Sequence, residues 1–503
     1  MLSVLIWLPA LGALLVAIAP LNSSQARRAA LWVSGLAMLW SVWLFVQFDL
    51  SDFGFQMTEK RAWLPLLGLD YELGLDGLAL LMTAMNSFLT WIAIYSSSPE
   101  LERPRFFHCM MLITSSATAG AFLAQNFLLF VLLYEVELIP LYLLVSIWGG
   151  EKRTYAATKF LLYTAVSGIL LLIACFGTFL LSGSSDFSYS SLIEADIPFR
   201  GQLLLSLVML VGFGIKIPLI PLHTWLPDTY VAASTPVAIV LGGVLAKLGT
   251  YGLLRFNFSL MPDGWHAIAP VLAIFATISV LYGSVVAIAQ QDIKRMVAYS
   301  SIAHMGYILL GMAAGTPLSL AGSIALMVSH GLILGILFNL VGIVESKVGT
   351  RELNVLNGLM NPIRGLPLTS AMLVLGGMAS AGIPGLVNFM TEFIVFQGSY
   401  RAFPVPTLIC VIGTGLTAVY FVILLNRTCF GRLDSQTAYF PKVTFGEKLP
   451  ALTLAAFIIV LGVQPNWLLR WSEPSPLSTI AASVSQAPAP VSEPLAFYAQ
   501  SDR

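Results

Sequence analysis

Cysteine is nearly missing from this chain: Cys109, Cys175, Cys410 and Cys429 are the only four in 503 residues. None shares the close spacing that an iron–sulfur or zinc site needs, so they read as small apolar fillers. Charge is scarce as well. Asp, Glu, Lys and Arg make up 10% of the chain, and 25 basic residues balance 25 acidic ones, so no basic excess points to nucleic acid. A glycine-rich dinucleotide fingerprint is absent too, which argues against redox chemistry within the chain. What is abundant is apolar surface, with 57% of residues hydrophobic. No soluble domain of this length could hide that much. Apolar runs recur from end to end, each long enough to cross a bilayer core of about 30 Å. The run from Leu2 to Pro20 lacks a basic leader and a clear cleavage site, and is expected to be a retained first span.

The runs predict an all-α polytopic membrane protein of 14 spans. Spans 1–6 are expected near 2–20, 29–49, 75–97, 107–124, 126–148 and 156–182. Spans 7–11 are expected near 202–226, 232–256, 266–290, 296–315 and 317–344, and spans 12–14 near 368–400, 404–426 and 449–470. The tail from Trp471 is rich in Pro, Ser and Ala and is expected to be disordered. One side of this map holds 15 basic residues, among them Arg27, Arg103, Lys152, Arg295, Lys347 and Lys448. The other holds 7, among them Lys60, Arg61 and Arg255. By the positive-inside rule both termini lie on the non-cytoplasmic side.

A charge at the centre of a span costs about 2.5–3.5 kcal/mol on insertion scales, and such residues are usually functional. Glu135 and Glu137 fall in span 5, Lys159 in span 6, Lys216 in span 7, Lys247 in span 8 and Glu392 in span 12. His223, His304 and His330 add groups that titrate near neutral pH. Each has a plainer reading. Lys159 lies a turn from the loop "GGEKRTY" and can snorkel. A lone histidine is more often a helix contact than a proton carrier. Glu137, two residues from Glu135, faces another side of the helix and reads as a spare carboxylate turned to water or a neighbouring subunit. Asp76 reads as the cap of span 3. Lys216, Lys247 and Glu392 are harder to dismiss, because each has at least seven uncharged residues on either side.

Span 7 carries "FGIKIPLIP" and span 12 carries "SAGIPGLVNFMTEF". Prolines inside a span free backbone carbonyls, which is tolerable only where the backbone is buried in protein or lines a polar cavity. Two Gly/Pro-interrupted spans five apart, each with an ionisable residue, suggest a repeat and an ion site near mid-membrane.

Several stretches together resemble the antiporter-like subunits of respiratory complex I and its photosynthetic relatives, in particular the chain 4, or M-type, branch. They are "YEVELIPLYLL", "GGEKRTYAATKFLLYT", "GIKIPLIPLHTWLPDTYVAASTPVAIVLGGVLAKLGTYGLLRF", "QQDIKRMVAYSSIAHMGY", "MVSHGLILGILF" and "GIPGLVNFMTEF". The resemblance implies inverted five-helix repeats. It divides the chain into spans 1–3 (1–106), a first repeat of spans 4–8 (107–256), a second of spans 9–13 (257–426), a linker with span 14 (427–470) and the tail (471–503). By motif, Glu135, Lys216, Lys247 and Glu392 take the family's proton-relay positions. Lys159, His223, His304, His330 and Glu137 would form a secondary path. "YEVE" departs from the commoner "WELE", and the first 70 residues are not diagnostic.

The implied function is proton translocation in a redox-driven NAD(P)H– or ferredoxin–plastoquinone oxidoreductase of thylakoid or bacterial inner membrane. No cofactor or metal is expected in this chain. Quinone, iron–sulfur clusters and the electron donor would belong to partner subunits of the membrane and peripheral arms. Within the photosynthetic branch, "SFLTWIAIYSS" and "FVLLYEVELIPLYLL" are similar to the carbon dioxide-uptake variant, whose arm bears a carbon dioxide hydration module. The expected switch is Glu135 holding Lys216 protonated. A pair about 4 Å apart at an effective dielectric near 20 gains about 4 kcal/mol. Release of that hold would send the proton by Lys247 and the histidines to Glu392. Two alternatives stay open: a freestanding Mrp-type cation/proton antiporter, and a subunit that only spaces its neighbours.

Overall fold

The computed structural model describes residues 1–433, 440–473 and 475–477. Among them, 12 helices are long and apolar enough to cross a membrane, and they are the expected spans 2–11, 13 and 14. The other two spans are shorter or divided. Span 1 is Ser3–Ile18, and span 12 is split into Pro367–Ser380 and Val387–Tyr400. The chain is an integral multi-pass membrane protein.

Local chemistry sets the span ends. Pro104, Pro262, Pro317, Pro367 and Pro404 each start a helix, where a missing N–H costs nothing. Asn22, Thr316 and Thr444 form reciprocal capping boxes with Gln25, Ser319 and Glu447. Spans 8 (Thr235–Phe258) and 11 (Pro317–Val348) are buried along their whole apolar windows, and they carry Lys247 and His330. Spans 2 (Ser23–Gln47) and 14 (Phe445–Val463) lie at the rim.

Both expected breaks are present. Span 7 ends as Phe199–Lys216 and resumes as Trp225–Ala232, with residues 217–224 irregular between them. Trp225 bridges the gap by donating to the Ile215 carbonyl at 2.8 Å. Span 12 breaks over 381–386, where Gly382 and Gly385 adopt φ of +70° and +91°. Those angles favour glycine, which carries no Cβ. A further interruption falls in span 5 (Phe127–Trp148), whose helix turns at Glu137 between Phe127–Val136 and Leu138–Trp148. Span 8 holds two wider π-type turns, Leu241–Leu245 and Leu253–Phe258, on either side of Lys247.

Two features depart from the sequence expectation. An antiparallel hairpin, β1 (Gln56–Leu64) and β2 (Leu69–Leu75), fills the stretch between spans 2 and 3, where no element was expected. The tail begins as structure rather than disorder. Asn466–Ser472 is helical, and Ser475 and Leu477 are buried. Trp471 packs edge-on against Phe45 with ring centroids 4.8 Å apart, so apolar docking overrides the loop-like composition. Residues 478–503 of the expected tail lie outside the described residues.

Candidate proton-transfer axis

The first polar centre lies where span 7 breaks. Lys216 Nζ donates to Glu137 Oε1 at 2.6 Å, with both side chains buried. Thr118 donates to the other carboxylate oxygen at 2.8 Å. The ammonium also lies 3.2 Å from the centroid of the Tyr134 ring and donates to the Tyr134 carbonyl at 3.3 Å. Tyr134, in turn, is held by Ser167 at 3.2 Å, and Ser167 donates to the Gly212 carbonyl in the last turns of the first half of span 7.

This corrects the expected pairing. Glu135 does not bond Lys216; Glu137 does. Two residues subtend about 200° on a helix, so only one of the two carboxylates can face span 7. Glu135 turns outward, half-buried, with its carboxyl lying over Gly168 of span 6 (Arg153–Ser182). It makes no hydrogen bond or ion pair to any described residue, although the charge of Lys216 acts on it. Leu132, Val136 and Ile139 beside it are exposed.

Lys247 occupies the middle of the molecule. It is fully buried, has no carboxylate partner among the described residues, and donates to the Gly242 carbonyl at 2.5 Å. That carbonyl belongs to the first π-type turn, a feature often found at functional sites. The lysine's charge acts on both His304 and His330. Those two rings stack 5.2 Å apart and nearly parallel. Neither ring nitrogen of His330 has a hydrogen-bond partner among the described residues.

His304 leads to the second broken span. Its Nε2 lies 3.6 Å from Glu392 Oε1 and 3.1 Å from the Ser380 carbonyl, the last residue before the break. Its Nδ1 contacts the Ser300 carbonyl at 2.8 Å. Asn388 donates to Glu392 at 2.7 Å and accepts from Ser329 at 2.9 Å. The break of span 12 therefore brings the Ser380 carbonyl to this end of the axis, whereas the Ile215 carbonyl at the break of span 7 is taken by Trp225.

Lys159 and His223 sit apart from that line. Lys159 pairs with Asp228 at 2.8 Å, and Arg295 reaches the same carboxylate at 3.2 Å. Lys159 thus has a fixed partner, not only a snorkelling one. His223, within the break of span 7, packs edge-on against Tyr282 at 5.0 Å. Asp228 falls between the expected spans 7 and 8, so its place in the sequence gives no sign of the pair. Asp76 does cap span 3 (Gly77–Tyr95), accepting from the Ala79 N–H at 2.9 Å. It also forms a buried pair with Arg255 at 2.7 Å, although Arg255 was mapped to the membrane surface. Sequence spacing carries no sign of that pair, since its members lie 179 residues apart.

Residues 124–417 match the family described as NADH:quinone oxidoreductase/Mrp antiporter, transmembrane. Among curated proteins, an NAD(P)H-quinone oxidoreductase chain 4 of Thermosynechococcus vestitus is 36% identical, over 99% of this chain and 95% of its own length. One from Trichormus variabilis is 36% identical over 93% and 89%. A chain of respiratory complex I from Thermus thermophilus superposes with a TM-score of 0.88 at 29% identity, covering 96% of this chain and all of that one. A chain of the Mrp complex from Dietzia shares the fold alone, with a TM-score of 0.85 at 21% identity over 96% and 99%. The chain thus belongs to the NADH:quinone oxidoreductase/Mrp antiporter transmembrane family.

Proposed function

We propose that this chain is a proton-translocating membrane subunit of an NAD(P)H–quinone oxidoreductase. The observation that carries the reading is the set of buried polar groups from Glu137–Lys216 past Lys247 to His304–Glu392 in a mostly apolar interior. Glu137 holds the Lys216 ammonium at rest. An ammonium without its counter-charge is costly in such surroundings. Drawing Glu137 away, or neutralising it, therefore sends the proton onward to Lys247. From there it passes through water and the stacked histidines to the Glu392 carboxylate, which releases it on the side opposite the basic face. Lys216 then takes a new proton, by way of the break that holds His223, and the cycle closes.

Glu135 has a different part in this scheme. A half-buried carboxylate among exposed apolar side chains at membrane depth needs a polar neighbour, and a second antiporter-like subunit seated on spans 5 and 6 supplies one. Glu135 is the point at which that subunit pulls on Lys216. Electron donor, iron–sulfur clusters and quinone are assigned to the peripheral arm and its junction, and the basic face is assigned to the cytoplasmic side.

The test is proton translocation per electron in assembled complexes carrying Lys247→Ala or Glu392→Gln. Both variants should assemble and pump fewer protons. Normal pumping by both removes these residues from the path. Mass spectrometry of the intact complex separates the remaining forms. A redox arm supports the oxidoreductase, its lack together with sodium-coupled transport supports the antiporter, and an attached carbon dioxide hydration module identifies the carbon dioxide-uptake variant.

A further inference from the structure

At the basic face, spans 2, 3, 11 and 14 enclose a cavity of about 630 Å³ lined by Arg27, Ser96, Asn339, Ser346 and Glu447, with Ser234 from the start of span 8. Three polar atoms on its lining residues have no hydrogen-bond partner among the described residues: Arg27 Nε, Ser234 Oγ and Asn339 Oδ1. Arg27 is anchored through its other nitrogen to the Tyr95 carbonyl, and its guanidinium lies 5.5 Å from the centroid of the Tyr95 ring. Asn339 is 3% exposed, and its amide donates to Ser96 at 2.9 Å. The one carboxylate there, Glu447, is already bound by Lys347 at 2.6 Å and by its own cap, so Arg27 is left as the uncompensated charge.

One turn deeper, the same four helices border an apolar groove of about 550 Å³, lined by Phe88, Trp91, Leu332, Leu449, Phe457 and Trp471. The two spaces adjoin. Trp91 lines the groove and Tyr95 the cavity, with their rings 5.5 Å apart. Leu449 lines the groove and Pro450 the cavity. From Leu449 to Leu461 the groove follows span 14 for about 18 Å at 1.5 Å per residue. Past Leu461 the groove continues to Trp467 and Trp471 beyond the end of span 14, so a chain entering at the basic face has at least the depth of one leaflet, about half of a bilayer core of about 30 Å.

We propose that this composite site holds one anionic lipid of the phosphatidylglycerol type from the leaflet at the basic face, with its headgroup in the cavity and an acyl chain in the groove. The unpaired atoms select the headgroup. Arg27 Nε and the Ser234 hydroxyl need acceptors, which a phosphate supplies. Asn339 Oδ1 needs a donor, which a glycerol hydroxyl supplies and a choline headgroup does not. The groove selects a lipid over free glycerol phosphate, because its apolar lining gains only from a hydrocarbon chain. The site lies among spans 2, 3, 11 and 14 and the start of span 8, and none of the relay side chains lines it.

The test is lipid quantification by mass spectrometry on the intact complex, stripped in rising detergent. Wild type should keep one more phosphatidylglycerol per complex than Arg27→Gln or Ala84→Phe, the latter filling the groove from span 3. Occupancy of that lipid should fall at least fivefold in either variant, and Arg27→Lys should restore part of it. If Arg27→Gln does not assemble, Ala84→Phe and Arg27→Lys decide the matter alone. Stripped wild type should rebind phosphatidylglycerol, and neither phosphatidylcholine nor millimolar glycerol 3-phosphate should replace it. Equal retention in wild type and variants overturns the site. Equal rebinding of phosphatidylcholine overturns the headgroup assignment, and full competition by glycerol 3-phosphate overturns the lipid. A neighbouring subunit's helix found in the groove overturns the proposal as a whole.

Discussion

Two glutamates in one stretch of span 5 meet opposite surroundings. Glu137 is buried against Lys216, while Glu135 looks outward over Gly168. Breaking a buried pair by removing one partner costs about 3–5 kcal/mol, because the other charge is left stranded. Glu137→Gln should therefore lower the melting temperature and yield of the assembled complex as well as its pumping. Glu135→Gln should leave thermal stability almost unchanged and alter only the coupling of pumping to electron flow. Equal thermal losses in the two variants would show that Glu137 is not the partner. Lys216→Arg asks a separate question. Guanidinium keeps the charge and the pair but does not give up its proton. The complex should assemble, carry electrons and pump poorly, with Lys216→Met as the uncharged control. Near-normal pumping by the arginine variant would leave Lys216 as a fixed counter-ion.

Helices here act through their interruptions. The break of span 7 puts Lys216 at a helix end, the π-type turns of span 8 bring a carbonyl onto Lys247, and the break of span 12 turns the Ser380 carbonyl toward His304. Contacts between helices matter just as much. A Cβ at Gly168 would fall 2.3 Å from the Glu135 carboxyl carbon, so the small residue in span 6 makes room for the acid in span 5. Because Glu135 is half-exposed and flexible, Gly168→Ala should displace it without unfolding the bundle. The expected phenotype is that of Glu135→Gln, read as reduced protons per electron at normal complex yield. Loss of assembly instead would mean that the gap serves helix packing.

On the scale of the whole chain, the far end of the sequence closes over its beginning. Ser475 donates to Asp76 at 2.6 Å, and Asp76 at once caps span 3 and pairs with Arg255 of span 8. Arg255 is enclosed by Phe55 of the residues leading into β1, by Tyr189 and by Tyr251. Asp76→Asn should therefore be among the most destabilising single changes, about 3–5 kcal/mol from the stranded guanidinium. Ser475→Ala should cost about 1.5–3 kcal/mol, the usual worth of a hydrogen bond to a charged group. Thermal unfolding of the assembled complex checks the order. Equal stability of both variants and wild type would make this closure incidental.

Composition and periodicity alone determined the membrane class, the order of the spans and the two breaks, because apolar length and Gly/Pro punctuation are local properties. The isolation of Lys216, Lys247 and Glu392 in apolar helices likewise singled out three side chains that the bundle buries. Only the tertiary structure decided which glutamate faces Lys216, since 200° of helix separates the two candidates and nothing local says which side span 7 occupies. It alone joined Asp76 to Arg255 and Asp228 to Lys159, pairs whose members lie 179 and 69 residues apart. It also ordered residues 471–473 and 475–477, whose composition gives no hint of the buried carboxylate and aromatic wall that receive Ser475 and Trp471. Long-range pairing of charges is set by how helices pack, and packing is a property of the assembled bundle.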